Sequence, residues 1–414
     1  MSPARKDVRS EGEEDDGTEG PNLKKKYKKI KYSMKKYLTL IAATMLTAAC
    51  SNEAEAPDDN LSGMPILVTV DEGSFTRATG EIASDSKLAE KGFGLFGIYT
   101  GKLTYENTSV SSDFMYNQKV TGTLNAAGKY DWVYNPVKYW PNSQSPETSA
   151  NNEYVSFFAY APYEATPKED GRCIFGMSDK YDKGDPWVNY RLAADPWSDT
   201  NPQVDLMYAI KVRNNSYDDL FINETRPAVT DKMRLIFLHA LECVGDLITI
   251  QQSDELYNYI NGYATILITD VNIVYKNLTS KARLVLNSPS GPNWKEIISG
   301  ELTTERKAPI APVYRSIINK PDTISEGQGL FYIPMQIAGT DAPCAEVTVG
   351  YAVINNNGSV YNGTTSTTFK LDMSKEGYKQ GIALILGKDL DLLHLTYPLT
   401  TEPAYEPSYS RQAK

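Results

Sequence analysis

Reactive chemistry in this 414-residue chain would have to come from few side chains. There are two histidines, His239 and His394, and four cysteines, Cys50, Cys173, Cys243 and Cys344. His239 sits inside the apolar run LIFLHALECV, where an imidazole serves as a hydrogen-bonded structural group more readily than as a base. No H-E-x-x-H, G-x-S-x-G or G-x-x-x-x-G-K-[ST] pattern occurs, so hydrolase and nucleotide chemistry have no visible machinery. The sequence assigns no catalytic residue and points away from an enzyme. Cys173, Cys243 and Cys344 are far apart and odd in number, which gives neither a disulfide framework nor a C-x-x-C metal spacing. They read as small buried apolar residues, and no metal or other cofactor is expected. The phrases GDPWVNY and ADPWSDT bring Asp185, Asp195 and Asp199 near Trp187 and Trp197. Such loops could ligate Ca²⁺ or stack a sugar, and turns opening on Asp-Pro account for them equally well.

Cys50 is different. It closes MKKYLTLIAATMLTAAC, which begins at Met34 with two lysines, continues with about a dozen mostly apolar residues, and ends on Ala48 and Ala49. Residues 34–49 therefore read as a signal peptide, too short to span the roughly 20 residues a transmembrane helix requires. The small residues before Cys50 resemble the lipobox of bacterial lipoproteins, with Thr47 where an aliphatic residue is more usual. That resemblance implies a diacylglyceryl thioether on Cys50 and cleavage on its amino side. Acyl chains, at about 0.8 kcal/mol per buried CH₂, would hold the new terminus at a membrane. The polar SNEAEAPDDN that follows is a tether, and its acidic residues resemble the surface-export signals of Bacteroidetes lipoproteins. Residues 1–33, charged and of low complexity, carry no folding information and read as an extension ahead of a start at Met34.

The elements that would position any site are strands. After the tether, Ile66, Leu67, Val68, Thr69 and Val70 form a five-residue β pattern rich in branched residues. A polar stretch from Gly73 to Gly80 follows, with Arg77 at its middle. From Gly92 onward come short apolar runs, at 92–100, 130–134, 154–163, 204–212 and 234–241. A second wave lies at 244–250, 264–275, 282–287, 329–337, 345–354 and 381–387. Pro/Asn/Ser/Gly segments separate them, and no long amphipathic helix competes. Twenty-eight tyrosines against 11 phenylalanines fit half-buried pleated surfaces. The fold class is all-β, as two tandem β-sandwiches, residues 78–255 and 256–414, joined near the polar QQSDELYNYINGY. A net charge of -10 excludes a protein built to grip nucleic acid.

The ordered text YWPNSQ…YVSFFAYAPY, then DLMYA, then RLIFLHALECV, closing on GYKQGIALILG, resembles the fimbrillin (type V pilin) family of Bacteroidetes from Cys50 to about Asp391. Gly377-Tyr378-Lys379 stands where that family usually has a Gly-Lys pair. The resemblance implies transthyretin-like sandwiches and an outer-membrane lipoprotein anchored through Cys50. It further implies cleavage of the Arg77–Ala78 bond by an Arg-specific surface protease. Residues 50–77, with the strand at Ile66–Val70, would then be tether and removable segment. Partners would be other pilin subunits, joined by strand insertion in support of adhesion. The candidate donor strand lies in DLDLLHLTYPLTT, with Leu393, Leu395 and Tyr397 on one face and Leu390 and Leu392 on another; the bland alternative is an ordinary last strand. Two other readings are a membrane-retained anchor or tip subunit, and a glycan-binding surface lipoprotein.

Overall fold

The computed structural model describes residues 63–71, 85–106, 111–141, 153–199, 202–213, 216–288, 290–296, 302–303, 306–308, 315–373 and 379–399. The first strands are β1 (Leu67–Val70), β2 (Phe93–Gly101), β3 (Met115–Leu124), β4 (Tyr130–Val133), β5 (Tyr154–Ala161), β6 (Ile174–Met177) and β7 (Trp187–Arg191). Then follow β8 (Met207–Arg213), β9 (Ser216–Asp219), β10 (Phe221–Glu224), β11 (Lys232–His239), β12 (Glu242–Gln252) and β13 (Ala264–Lys276). Next are β14 (Leu278–Thr279), β15 (Lys281–Val285), β16 (Asn293–Glu296), β17 (Leu302–Thr303), β18 (Arg306–Ala308) and β19 (Arg315–Ser316). The last are β20 (Asp322–Glu326), β21 (Leu330–Tyr332), β22 (Cys344–Asn355), β23 (Val360–Lys370), β24 (Lys379–Leu386) and β25 (Leu392–Pro398). The helices among the described residues are one-turn to two-turn pieces, Asp85–Lys91 and Asp254–Ile260. The fold is all-β, as the spacing of apolar runs predicts.

The first large sheet has the order β1-β11-β8-β5-β2-β3-β4, with β9 and β10 added on β8 and β5. Its central strands read as unbroken apolar text because both faces are covered by separate cores. Val155, Phe157, Ala159 and Ala161 of β5 enter one core with Phe93, Leu95, Leu235 and Phe237. Phe158 and Tyr160 enter the other with Phe96, Ile98 and Ile236. A period of two along each strand thus divides an eight-residue run between two cores.

Two further sheets, β20-β12-β24-β25 and β18-β13-β22-β23, feed alternate residues into the second core. On β13 the buried set is Ile266 and Ile268, then Val271, Ile273 and Tyr275, a change of parity after Ile268. The β13–β22 register shifts at that place, between Ile268 and Asp270, so a bulge keeps both halves of the strand facing inward. A fourth sheet, β16-β15-β7-β6, takes two strands from each half of the chain, with Ala282 opposite Tyr190 and Leu284 opposite Val188. Sheet membership changes between β11 and β12, at Ala240 and Leu241. The expected join, in the polar stretch 251–263, lies at the helix Asp254–Ile260, capped by Ser253, whose hydroxyl accepts the Leu256 N–H at 3.1 Å.

Candidate assembly site

The strand pattern at Ile66–Val70 is realised as β1, at one edge of the first sheet. It runs parallel to β11, with Leu67 opposite Lys232, Val68 opposite Met233, Thr69 opposite Arg234 and Val70 opposite Leu235. Alternation sends Ile66, Val68 and Val70 inward, to 0%, 2% and 7% exposure, while Leu67 and Thr69 stay half-buried. The core they close contains Phe93, Trp132, Tyr134, Trp140, Phe157 and Phe237. Its rings pack in tilted and edge contacts, Phe93 on Phe237 at 5.1 Å and Trp140 on Phe157 at 5.9 Å between centroids.

The side of β1 away from β11 is bound as well, near its start. The Ile66 N–H donates to the Lys138 carbonyl at 2.9 Å, and the Trp140 N–H donates to the Met64 carbonyl at 3.0 Å. Tyr134 Oη donates to the Ile66 carbonyl at 2.7 Å, and burial pushes this hydroxyl up to about 12. At the far end the Asp71 N–H donates to the Leu235 carbonyl at 2.9 Å, and Arg234 pairs with the Asp71 carboxylate at 2.7 Å. Burial of three aliphatic side chains contributes roughly 1.5–3 kcal/mol each. Ordering the backbone costs about 1–2 kcal/mol per residue, so the net hold on so short a strand is small beside its gross contacts. That Lys138–Trp140 and Tyr134 wall β1 escapes sequence reading, although 130–134 reads as a strand run. Their text, YNPVKYW, carries a proline and no strand alternation, and only the tertiary fold lays it along β1.

Other sequence-predicted residues fall elsewhere. Cys50, Arg77 and Ala78 lie outside the described residues. Leu392 begins β25, antiparallel to β24 at the edge of its sheet, with Ile385 opposite Leu393, Ala383 opposite Leu395 and Gly381 opposite Tyr397. Leu393 and Leu395 are 51% and 59% exposed on one face, and Tyr397 is half-buried, while Leu392 is buried on the other. Leu390, with φ +61, belongs to the preceding turn, which accounts for the break in the leucine pattern. His394 stacks on Phe369 of β23 and its Nδ1 is 2.9 Å from Thr367 Oγ1.

His239 is structural in its surroundings, with Nδ1 2.8 Å from the carboxylate of fully buried Asp205. Asp185 accepts hydrogen bonds from Tyr105 Oη at 2.7 Å and Asn287 Nδ2 at 2.8 Å. The Arg283 guanidinium lies 3.6 Å from the centre of the Trp187 ring, and Trp197 Nε1 donates to the Gln328 carbonyl at 2.9 Å. Both tryptophans are thus engaged with the protein itself. Among the described residues Cys173, Cys243 and Cys344 form no disulfide, and the first two are buried.

No family model matches the chain. A stretch of 171 residues is 30% identical to the fimbrium subunit Fim1C of Phocaeicola vulgatus, spanning 40% of this chain and 40% of that relative. In three dimensions the chain is similar to a fimbrial protein of Bacteroides vulgatus, with a TM-score of 0.59 and 18% identity. That likeness covers 81% of this chain and 99% of the other, and it speaks for a shared fold.

Proposed function

We propose that this chain, fimbrillin-like in sequence and fold, is a structural subunit of a cell-surface fimbria in which β1 acts as a removable plug. The observation that carries the reading is the seat of β1, an edge strand buried through Ile66, Val68 and Val70 and held by backbone bonds on both sides. Its withdrawal would leave the Lys138 and Leu235 carbonyls and the Trp140 N–H without these partners, and would open an aromatic-lined groove to water. Such a groove favours any strand that restores both the hydrogen bonds and the apolar contacts. A donor longer than four residues adds contacts that β1 does not make.

In this reading the chain leaves the cell as a lipoprotein, held at the outer membrane through Cys50. An Arg-specific surface protease cuts between Arg77 and Ala78, and residues 50–77 depart with β1. A neighbouring subunit then inserts its own strand, with the segment from Leu390 to Tyr397 as candidate donor. The subunit is two transthyretin-like sandwiches, residues 78–255 and 256–414. Donor and acceptor surfaces differ, so the contact is heterologous and repeats into a filament that supports adhesion. Until the cut, β1 covers the edge and prevents premature pairing.

The test is the N-terminus of protein taken from the cell surface. A terminus at Ala78, in material migrating as a polymer ladder, supports the proposal. An acylated Cys50 retained in surface protein would overturn it in favour of a membrane-retained anchor or tip subunit, or a glycan-binding lipoprotein.

A further inference from the structure

Two cations stand on the solvent side of β11, beside the seat of β1. Lys232 and Arg234 are two residues apart, roughly 7 Å along an extended strand, and their side chains are 50% and 54% exposed. β1 does little for this pair. Leu67 lies opposite Lys232 and Thr69 opposite Arg234, both without charge. Arg234 reaches past Thr69 to Asp71 at 2.7 Å, and Lys232 has Asp131 of β4 at 4.0 Å. Withdrawal of β1 takes Asp71 with it and leaves both cations beside an open ladder. Cross-strand pairs of opposite charge stabilise a sheet, and like pairs oppose it. The lip of the groove therefore prefers an entering strand with carboxylates at the places of Leu67 and Thr69.

The sequence contains a segment of that chemistry. Beyond Arg77, acidic residues stand two apart once, in Asp389-Leu390-Asp391-Leu392, at the head of the candidate donor segment. Acid and leucine alternate there, and both carboxylate residues are exposed. In the structure this text belongs to the turn between β24 and β25. The Gly387 N–H donates to the Asp391 carbonyl at 2.8 Å, and Leu390 adopts φ +61. A leucine is disfavoured in that left-handed region, so extending the segment relieves a strained residue.

We propose that Lys232 and Arg234 select the entering strand by its charge, pairing with Asp389 and Asp391 of a second copy of this chain. Leu390 then takes the place of Val68 in the core, with Leu392 inward beside it. This inference rests on the removable-β1 reading and adds to it the residues that choose the donor. β1, neutral at both outward positions, is the weaker occupant on this lip, so an acidic strand gains there what β1 cannot hold.

A full chain with a site for a sequence-specific protease placed within residues 73–80 would be folded, cut there, and offered labelled peptides. Two peptides keep the inward residues of PILVTVDE and differ outside, one with Leu67→Glu and Thr69→Glu, the other with Leu67→Lys and Thr69→Lys. The glutamate peptide should displace β1 and bind at least fivefold more tightly than the lysine peptide, by a margin that shrinks in high salt. On a chain carrying Lys232→Glu and Arg234→Glu the order should reverse, and retention of the lysine peptide there shows that the groove is intact. A peptide of residues 388–398 should also bind the native cut chain, and weaken at least fivefold with Asp389→Asn and Asp391→Asn. Equal binding of the glutamate and lysine peptides, a preference that survives charge reversal of β11, or indifference to the two asparagines would each overturn this inference while leaving the plug in place. Failure of every peptide to enter would overturn the removable strand, and this inference with it.

Discussion

The hydroxyl of Tyr134 donates a 2.7 Å hydrogen bond to the carbonyl of Ile66, fastening the start of β1 to a residue 68 positions later in the chain. Tyr134→Phe removes this bond and keeps the ring in the core. A net loss of about 1 kcal/mol is expected, felt first in β1. Hydrogen exchange of the amides from Ile66 to Val70 should quicken roughly fivefold while β2 and β5 remain protected. Equal acceleration in all three strands would show that the bond supports the whole sheet and not β1 in particular.

The same group sets an alkaline limit. Its folded value of about 12 lies above the ordinary tyrosine value of 10, so folding favours the neutral hydroxyl. The associated stability is complete below pH 10 and is lost as pH rises through about 12. Limited proteolysis between pH 10 and 12 should therefore nick the chain near β1 before the global transition, and Tyr134→Phe should flatten that dependence.

Val68→Asp places a carboxylate at a position with 2% exposure. A strand this short leaves its seat before it buries an unpaired charge. The remainder of the fold should persist, with unchanged far-ultraviolet circular dichroism, while the opened groove binds a hydrophobic dye and promotes association. A monomeric variant that binds no dye would mean that nothing opens when β1 is displaced.

Asp205 and His239 should behave as a unit. His239→Ala leaves the fully buried Asp205 carboxylate without its 2.8 Å partner and should cost about 3–5 kcal/mol in urea unfolding. The double variant Asp205→Ala/His239→Ala should lose less than that single change. Additive losses would show that the two groups are not coupled.

Much of the strand inventory is legible because burial imposes a period. Runs such as ATILITDVNIVY are found as β13, and YVSFFAYAPY as β5, since their residues face protein on one side or both. The text VYNGTTSTTFK escapes, although it forms the 11-residue β23. As an edge strand with only Phe369 buried in it, it has no apolar alternation to display. The run 329–337 is shortened to Leu330–Tyr332, ending before Pro334, which cannot donate to a ladder.

By itself the sequence determined the class of the fold and the inward alternation of Ile66, Val68 and Val70. These are local properties, written in the period and polarity of neighbouring residues. Only the tertiary structure decided that β1 lies parallel to β11, that Tyr134 and Lys138–Trp140 form its other wall, and that β7 and β15 share a sheet. Such pairings join residues tens to more than a hundred positions apart. Nothing in either partner's text specifies the other, because shape and unpaired backbone groups select it during collapse.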